Sequence, residues 1–350
     1  MQPEIRIGNR TIGPRYPVYI IAEAGSNHDR KLDQAKKLVD VAAEAGADAV
    51  KFQTFQAERI VTGAPGKSKY LEKLTRPGQT MRDLFRDLEL PREWHAELAD
   101  YAMRQGIDFL STPFDEGAVD LLDDVGVKAF KIASFELWHL PLLQHTARKG
   151  KPLLLSTGMA KLGDIEDALE AIRAAGNDQV ALLHCAISYP VAFENINLRA
   201  METMHQAFQV PVGFSDHSPG ITAPIAAAAL GACLIEKHFT LDRTLPGPDH
   251  PFALEPKELK AMVRAIRETE QALGSPIKTY TPAEEEYLLR GRRSIHAITD
   301  IPKGTVITRD MVAILRPGTG LLPKFLDIVV GRRAAVDIAA DQPITWEILA

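Results

Sequence analysis

Short apolar runs that turn polar at their far ends recur along the chain, and stretches of helical periodicity stand between them. The runs are VYIIAEAG from Val18, AVKFQTF from Ala49, FLSTPF from Phe109, AFKIAS from Ala129, PLLLSTG from Pro152, VALLHC from Val180, PVGFSDH from Pro211 and CLIEKHFT from Cys233. All eight are apolar on both faces, as strands of a sheet covered on both sides are. Between them, LDQAKKLVDVAAEAG (residues 32–46) places Leu38, Val39 and Ala42 on one face and closes on Gly46. WHAELADYAMRQG, IEDALEAIRAAG and ITAPIAAAALG likewise end on Gly just before the next run. Eight strand–helix units over roughly 250 residues predict an α/β fold, a (β/α)8 TIM barrel, over an open doubly wound sheet. No Gly-rich dinucleotide fingerprint follows the first strand, which weakens the open-sheet alternative.

Two segments interrupt the alternation. IRIGNRTI, ahead of the first strand, predicts an N-terminal hairpin around Gly8 and Asn9 that plugs the barrel bottom. The connection from Phe55 to Phe109 is long for such a fold, and its first part, GAPGKSKYLEKLTRPGQT, reads either as a lid or binding loop or as decoration. Beyond the helix ELKAMVRAIRETEQALG the pattern changes. We expect the barrel over residues 1–275, a linker ending in a short helix over 276–293, and a small domain of short strands over 294–350, too small for a large core of its own.

Composition narrows the function classes. Hydrophobic residues are 45% and charged residues 25%, as in ordinary globular proteins, which excludes a disordered or fibrous chain. The 41 Lys+Arg against 46 Asp+Glu give a net charge of −5, without the basic excess of a nucleic-acid binder. The N-terminus lacks the apolar core of a signal peptide, and no apolar run reaches the length of a spanning helix, so a soluble cytoplasmic protein without a membrane partner is expected. Cys185 and Cys233 lie in apolar runs and read as buried free thiols.

The polar strand ends carry the candidate chemistry. They comprise Glu23, Lys51, Gln53, Ser111, Thr112, Lys131 and Ser134, then Ser156, Thr157, His184, Ser215, Asp216, His217, Glu236, Lys237 and His238. In a barrel of this kind the C-terminal strand ends gather on one face, so these residues are expected to converge. Lys51 and Lys131, with Ser and Thr donors around them, describe an anion site, most simply for phosphate; either lysine alone could instead be a stem-packed residue closing a salt bridge. His217 and His238 end neighbouring strands, so their rings can reach one point. With Glu23 and Asp216 near, the pair reads as a divalent-metal site with open positions for substrate and water, a hydrogen-bonded core pair being the alternative. Lys237 reads as the neutralising partner of Glu236.

Taken together, IAEAGSNH (21–28), GADAVKFQTF (46–55), STPFD (111–115), KIAS (131–134), LLLSTGM (153–159), LLHC (182–185), FSDH (214–217) and IEKHFTLDRTLPGPDH (235–250) closely resemble the sialic acid synthases. LRPGTG (315–320) resembles their C-terminal antifreeze-like, or SAF, domain. The resemblance implies condensation of phosphoenolpyruvate with an open-chain N-acetylated amino sugar, N-acetylmannosamine above all, with release of phosphate. It implies a divalent metal, Mn²⁺ before Mg²⁺ or Co²⁺, on His217 and His238. Phosphoenolpyruvate contacts would fall on Lys51, Thr112, Lys131, Ser134 and Ser215, sugar contacts on Gln53, Glu136, Tyr189 and Asp249, and the base for water on Glu23. Arg316 matches an arginine that members insert into the partner subunit's site, which implies a domain-swapped homodimer.

The chain departs from the family pattern in three places. Asp29-Arg30 replaces the usual Asn-Gly turn, so the first loop is expected to differ in shape. Ile187 stands where a Ser or Asn is usual, with a hydrogen bond lost or rearranged. PFALEP after GPDH resembles the legionaminate and spore-coat relatives, which makes a diacetylated dideoxy sugar the alternative acceptor. Competing classes are a phosphoenolpyruvate-dependent sugar-phosphate synthase, a Schiff-base aldolase using Lys131 or Lys237, and a non-enzymatic sugar- or ice-binding protein; Glu23, His217 and His238 argue for chemistry.

Overall fold

The computed structural model describes residues 3–62 and 78–350, so all but the last three residues of the predicted lid segment 63–80 lie outside the described residues. The chain divides into two compact units, Met1–Gly274 and Ser275–Ala350.

The first unit is the predicted barrel. A hairpin of β1 (Ile5–Ile7) and β2 (Arg10–Ile12) precedes eight parallel strands: β3 (Tyr19–Gly25), β4 (Ala49–Thr54), β5 (Asp108–Pro113), β6 (Phe130–Ile132), β7 (Leu153–Ser156), β8 (Val180–Cys185), β9 (Val212–Asp216) and β10 (Leu234–His238). The hydrogen-bonded order runs β5-β4-β3-β10-β9-β8-β7-β6, and β5 lies against β6 to close the ring. Helices follow the strands where the periodicity puts them, among them Leu32–Ala45, His95–Arg104, Leu162–Ala174 and Thr222–Ala229. The first stops as its Gly predicts: Gly46 takes a left-handed φ of 82° and its N–H caps the carbonyls of Ala42 and Ala43.

Side chains alternate between the two faces of each strand, and the alternation builds two cores. Ile20, Ala22, Val50, Phe52, Phe214 and Ile235 point outward and pack under the helices. Tyr19, Ile21, Leu110, Leu154, Leu183 and Leu234 point inward and meet Ile5, Ile7 and Ile12 of the hairpin, which fill the barrel floor. Burial of each large apolar side chain contributes roughly 1.5–3 kcal/mol. Space inside is short enough that a Cβ on Gly213 would lie 2.4 Å from the Leu234 carbonyl oxygen.

Polar groups lock the same floor. The carboxylate of Asp48 accepts from the Ile20 N–H at 2.8 Å, from Arg267 Nη2 at 2.9 Å and from Arg10, tying the hairpin and helix Pro256–Leu273 to the first strand. The second unit pairs β11 (Ser294–Ala297) with β12 (Val312–Leu315), antiparallel, around Ile295, Ile301, Ile307, Val312, Val329 and Ile344. Both cysteines are free and buried. Among the described residues no helix is long and apolar enough to cross a membrane.

Removing the buried Asp48 carboxylate leaves the Ile20 N–H and Arg267 Nη2 without the acceptor they share. Asp48→Ala is expected to lower stability by about 3 kcal/mol, read as the midpoint shift in urea denaturation; an unshifted midpoint would show that the floor network is dispensable.

Candidate active site

Strand alternation sorts the polar strand ends into two sets. On β10, Glu236 and His238 enter the barrel while Lys237 leaves it: its Nζ donates to Asp216 Oδ2 at 2.6 Å and to the Ser218 carbonyl, outside the ring. Lys237 is therefore the partner of Asp216, not of Glu236. Ser111 also faces outward, bonded to Thr54 Oγ1 at 2.7 Å beside His95, and His184 reaches the Ile196 carbonyl at 2.6 Å. Thr157 Oγ1 donates to the Leu183 carbonyl at 3.0 Å, and Ser111, Thr157, His184, Asp216 and Lys237 thus do not join the converging set, because each is one residue out of phase with the inward positions.

The inward residues line a cavity of about 730 Å³, within the range that takes a small-molecule ligand. Glu23, Lys51, Gln53, Thr112, Lys131 and Ser134 line it, as do Glu136, Tyr189, Ser215, His217, His238 and Asp249. Twelve sequence-predicted residues are thereby brought together, whereas Arg316 lies in the second unit, exposed, its Nε donating to the Gly291 carbonyl at 2.7 Å. Ser156 and Glu236, named among the polar strand ends without a role in the site, line the cavity as well, and Cys185, read only as a buried thiol, joins them because it shares strand parity with the inward Leu183. Sequence reasoning gave no sign of the apolar wall formed by Phe55, Phe85, Phe114 and Phe135.

Four charged side chains are buried together at the cavity floor. Lys51 Nζ lies 2.8 Å from Glu23 Oε2 and 3.7 Å from Glu236 Oε2, and donates to Thr112 Oγ1 at 2.9 Å. Lys131 Nζ lies 3.7 Å from Glu236 Oε2 and donates to Ser156 Oγ at 2.7 Å. Burial raises Glu23 to about 7 despite the Lys51 ammonium. For Glu236 burial works in the same direction but is outweighed by Lys131 and Lys51, which hold it at about 2. Burial lowers Lys131, while Lys51 stays above its ordinary value because Glu23 and Glu236 overcome its desolvation. Gln53 donates to Glu23 Oε1 at 2.9 Å and so orients that carboxylate.

His217 and His238 stand with ring centroids 5.3 Å apart. Burial, then their mutual repulsion, pushes His217 down to about 4, and burial pushes His238 to about 3, so both are neutral and hold a lone pair. His217 Nδ1 lies 3.1 Å from the Ala186 carbonyl, which only accepts; the proton is on Nδ1 and the lone pair is on Nε2. His238 Nδ1 is buried without a hydrogen-bond partner, 3.8 Å from Asp249 Oδ2. Two neutral imidazoles with a nearby carboxylate suit a divalent cation. Among the described residues no cluster of three or more His, Cys, Asp or Glu is preassembled for a metal, so the pair would leave positions to other ligands.

Asp249 is held by two interlocked loops. Asp29 and Arg30 adopt left-handed φ of 48° and 52°, and Asp29 Oδ1 accepts from His250 Nε2 at 3.0 Å. Across from it, His250 Nδ1 meets Thr240 Oγ1 at 2.6 Å, and Asn27 Nδ2 donates to the Phe239 carbonyl at 2.8 Å. Gly25, at φ 53°, lets Asp249 in: a Cβ there would sit 2.6 Å from Asp249 Oδ2. Ile187 offers no polar atom; its Cγ1 would meet a Cβ on Gly158 at 2.5 Å, and Gly158 N–H donates to Ser134 Oγ at 2.9 Å. Nearby Ser188 does not replace the lost donor, since its Oγ donates to the Pro190 carbonyl at 3.0 Å.

The sequence pattern of the NeuB family matches residues 38–278, and that of the SAF domain matches residues 292–350. The chain is 47% identical to the spore coat polysaccharide biosynthesis protein SpsE of Bacillus subtilis, over 98% of this chain and 96% of that one. It is 42% identical to the N,N'-diacetyllegionaminic acid synthase of Legionella pneumophila, over 97% of each. The crystal structure of N-acetylneuraminic acid (sialic acid) synthetase from Leptospira borgpetersenii superposes with a TM-score of 0.74 at 35% identity, covering 82% of this chain and 96% of that one. The chain belongs to the NeuB family of sialic acid synthases, carries a C-terminal SAF domain, and is a carbon–carbon bond-forming transferase.

The loop interlock has a measurable consequence. Asp29→Ala leaves the buried His250 Nε2–H without its acceptor, at an expected cost of about 1–3 kcal/mol. Amide exchange should speed up selectively over residues 239–250 and 26–31; a uniform or absent change would show that the two loops are not coupled.

Proposed function

We propose that this NeuB-family enzyme condenses phosphoenolpyruvate with the open-chain form of an N-acetylated amino sugar, N-acetylmannosamine first, and releases phosphate. The observation that carries this reading is the pairing, in one cavity, of two buried ammonium groups with two neutral histidines. Lys51 and Lys131, with Thr112, Ser134 and Ser215, are suited to the phosphate and carboxylate of phosphoenolpyruvate. Gln53, Tyr189 and Asp249, with Glu136 at the rim, present polar groups to the sugar. His217 and His238 would hold the divalent metal, Mn²⁺ being the first choice, which when bound supplies Lewis acidity to the sugar carbonyl.

Electron flow then follows from the residues. The enol carbon bonds to the aldehyde carbon as its double bond to C2 breaks, the aldehyde oxygen takes a proton from solvent, and C2 is left as an oxocarbenium centre. Glu23, oriented by Gln53 and ion-paired to Lys51, takes a proton from the water that adds to C2. The tetrahedral carbon expels phosphate by C–O cleavage as its hydroxyl returns a proton to solvent and becomes the C2 carbonyl, the proton held by Glu23 leaves with the phosphate, and Lys51 and Lys131 neutralise the leaving charge. In this reading Arg316 is supplied to the site of a partner subunit in a domain-swapped, cytoplasmic homodimer.

The apolar wall of Phe55, Phe85 and Phe114 favours a second reading of the acceptor. A diacetylated dideoxy sugar offers a methyl and an additional acetyl group to such a surface, where burial of apolar area is favourable. A Schiff-base mechanism finds less support. Lys237 faces away from the cavity, and Lys131 is engaged by Ser156 and Glu236.

Phosphate release from phosphoenolpyruvate with Mn²⁺ and a panel of acceptors tests the proposal: N-acetylmannosamine, its 6-phosphate, mannose and diacetylated dideoxy sugars. Release with an N-acetylated sugar is expected, and none with any acceptor would sink the reading. Chelation should abolish turnover, and His217→Ala or His238→Ala should weaken Mn²⁺ binding in calorimetry. Glu23→Gln should lower kcat by about 10²–10⁴-fold without raising KM for phosphoenolpyruvate.

A further inference from the structure

Glu236 has no task in the chemistry proposed above, yet both buried ammonium groups are set against it. Its Oε1 accepts from Ser215 Oγ at 3.0 Å, while Oε2 stands 3.7 Å from Lys51 and 3.7 Å from Lys131 and has no hydrogen-bond partner. At 3.7 Å neither ammonium is committed to it by a hydrogen bond. Their hydrogen bonds go elsewhere, Lys51 to Thr112, Lys131 to Ser156 and the Ile132 carbonyl, and the closest ion pair of Lys51 is with Glu23 Oε2 at 2.8 Å. Among the described residues Glu236 is the sole ion-pair partner of Lys131.

An unbonded, buried carboxylate oxygen between two ammoniums fills the kind of place an incoming oxyanion would take. We propose that Glu236 is a built-in counter-anion. With the site empty it keeps Lys51 and Lys131 charged and directed into the cavity, where an unpaired ammonium would be costly. With an anion bound it competes for the same two charges and limits how tightly phosphoenolpyruvate and phosphate are held. It acts through the lysines and is a positioning residue. The inference rests on reading Lys51 and Lys131 as the phosphoenolpyruvate seat.

The sign of the effect separates this role from a purely structural one. A residue that only braced the lysines would, on removal, weaken anion binding; a competing anion, on removal, strengthens it. Phosphoenolpyruvate and inorganic phosphate, each without acceptor, are titrated calorimetrically into the full-length wild type, Glu236→Asp and Glu236→Gln at one ionic strength. Kd for both anions is expected to fall on the order of tenfold in the Gln variant, with the Asp variant in between because its shorter side chain draws the charge back from both ammoniums. KM for phosphoenolpyruvate should fall in parallel, and kcat should fall with it as phosphate leaves more slowly. Should the Gln variant not fold, the Asp variant still reports the sign. Unchanged or weaker binding in the folded variants overturns the counter-anion role. Absence of wild-type binding that Lys131→Met removes overturns the phosphoenolpyruvate seat itself, a result recognisable without either Glu236 variant.

Discussion

Two lysines and two glutamates shut inside one barrel set the terms for the rest of this fold. Glu23, Lys51, Lys131 and Glu236 come from four different strands and are each at most 4% exposed. Removing such charges from water is expensive, and the cost is offset only when partners stand at close range in fixed directions. Parallel pairing supplies that precision. Glu23 sits opposite Lys51 in the β3–β4 register, and His238 opposite Glu23 in the β10–β3 register. A slip of one residue in β3, β4 or β6 would exchange an inward charge for an outward apolar side chain, so electrostatics and hydrophobic burial enforce the same register there.

Beneath the charges lies an entirely apolar layer, and that order matters for chemistry as well as stability. Ile21, Leu110, Leu154, Leu183 and Leu234, closed from below by the hairpin isoleucines, give the charges a dry floor. Solvent thus reaches the charged layer from the mouth alone, where the field of the lysines is focused. Above it, the mouth is built by loops rather than strands, and its rigidity comes from hydrogen bonds such as Asp29–His250 and Asn27–Phe239. Floor and rim are stabilised by different forces, which lets the rim vary without disturbing the floor.

That division explains what was legible in the sequence. Apolar runs and glycine stops carry the eight strands and their helices because burial and backbone conformation are local properties. Membership in the NeuB family likewise rests on contiguous motifs. Parity within a strand is also local, yet a list of polar strand ends hides it: Ser111, His184, Asp216 and Lys237 share segments with cavity residues but face the helices. Lys237 beside Glu236 is the clearest case, since adjacency in a strand separates two side chains instead of pairing them. The Asp29–His250 contact joins residues 221 apart, and nothing local signals it. The apolar wall is legible only after the chain has folded, because Phe55 and Phe85 stand 30 residues apart in the β4–β5 connection and Phe114 and Phe135 follow β5 and β6.

The charge balance of the cavity bears on how a site of this type turns over. Two ammoniums facing an anion with no opposing charge would bind it tightly both before and after reaction, and binding substrate and product alike does not speed a cycle. Two carboxylates in the same enclosure reduce that uniform attraction while keeping the lysines charged. Glu23 and Glu236 differ in what surrounds them: Glu23 has Gln53 and one close ammonium and rises to about 7, whereas Glu236 lies between two ammoniums and stays near 2. The same residue type is thereby split by its surroundings into a carboxyl that takes up a proton readily and one that holds its charge.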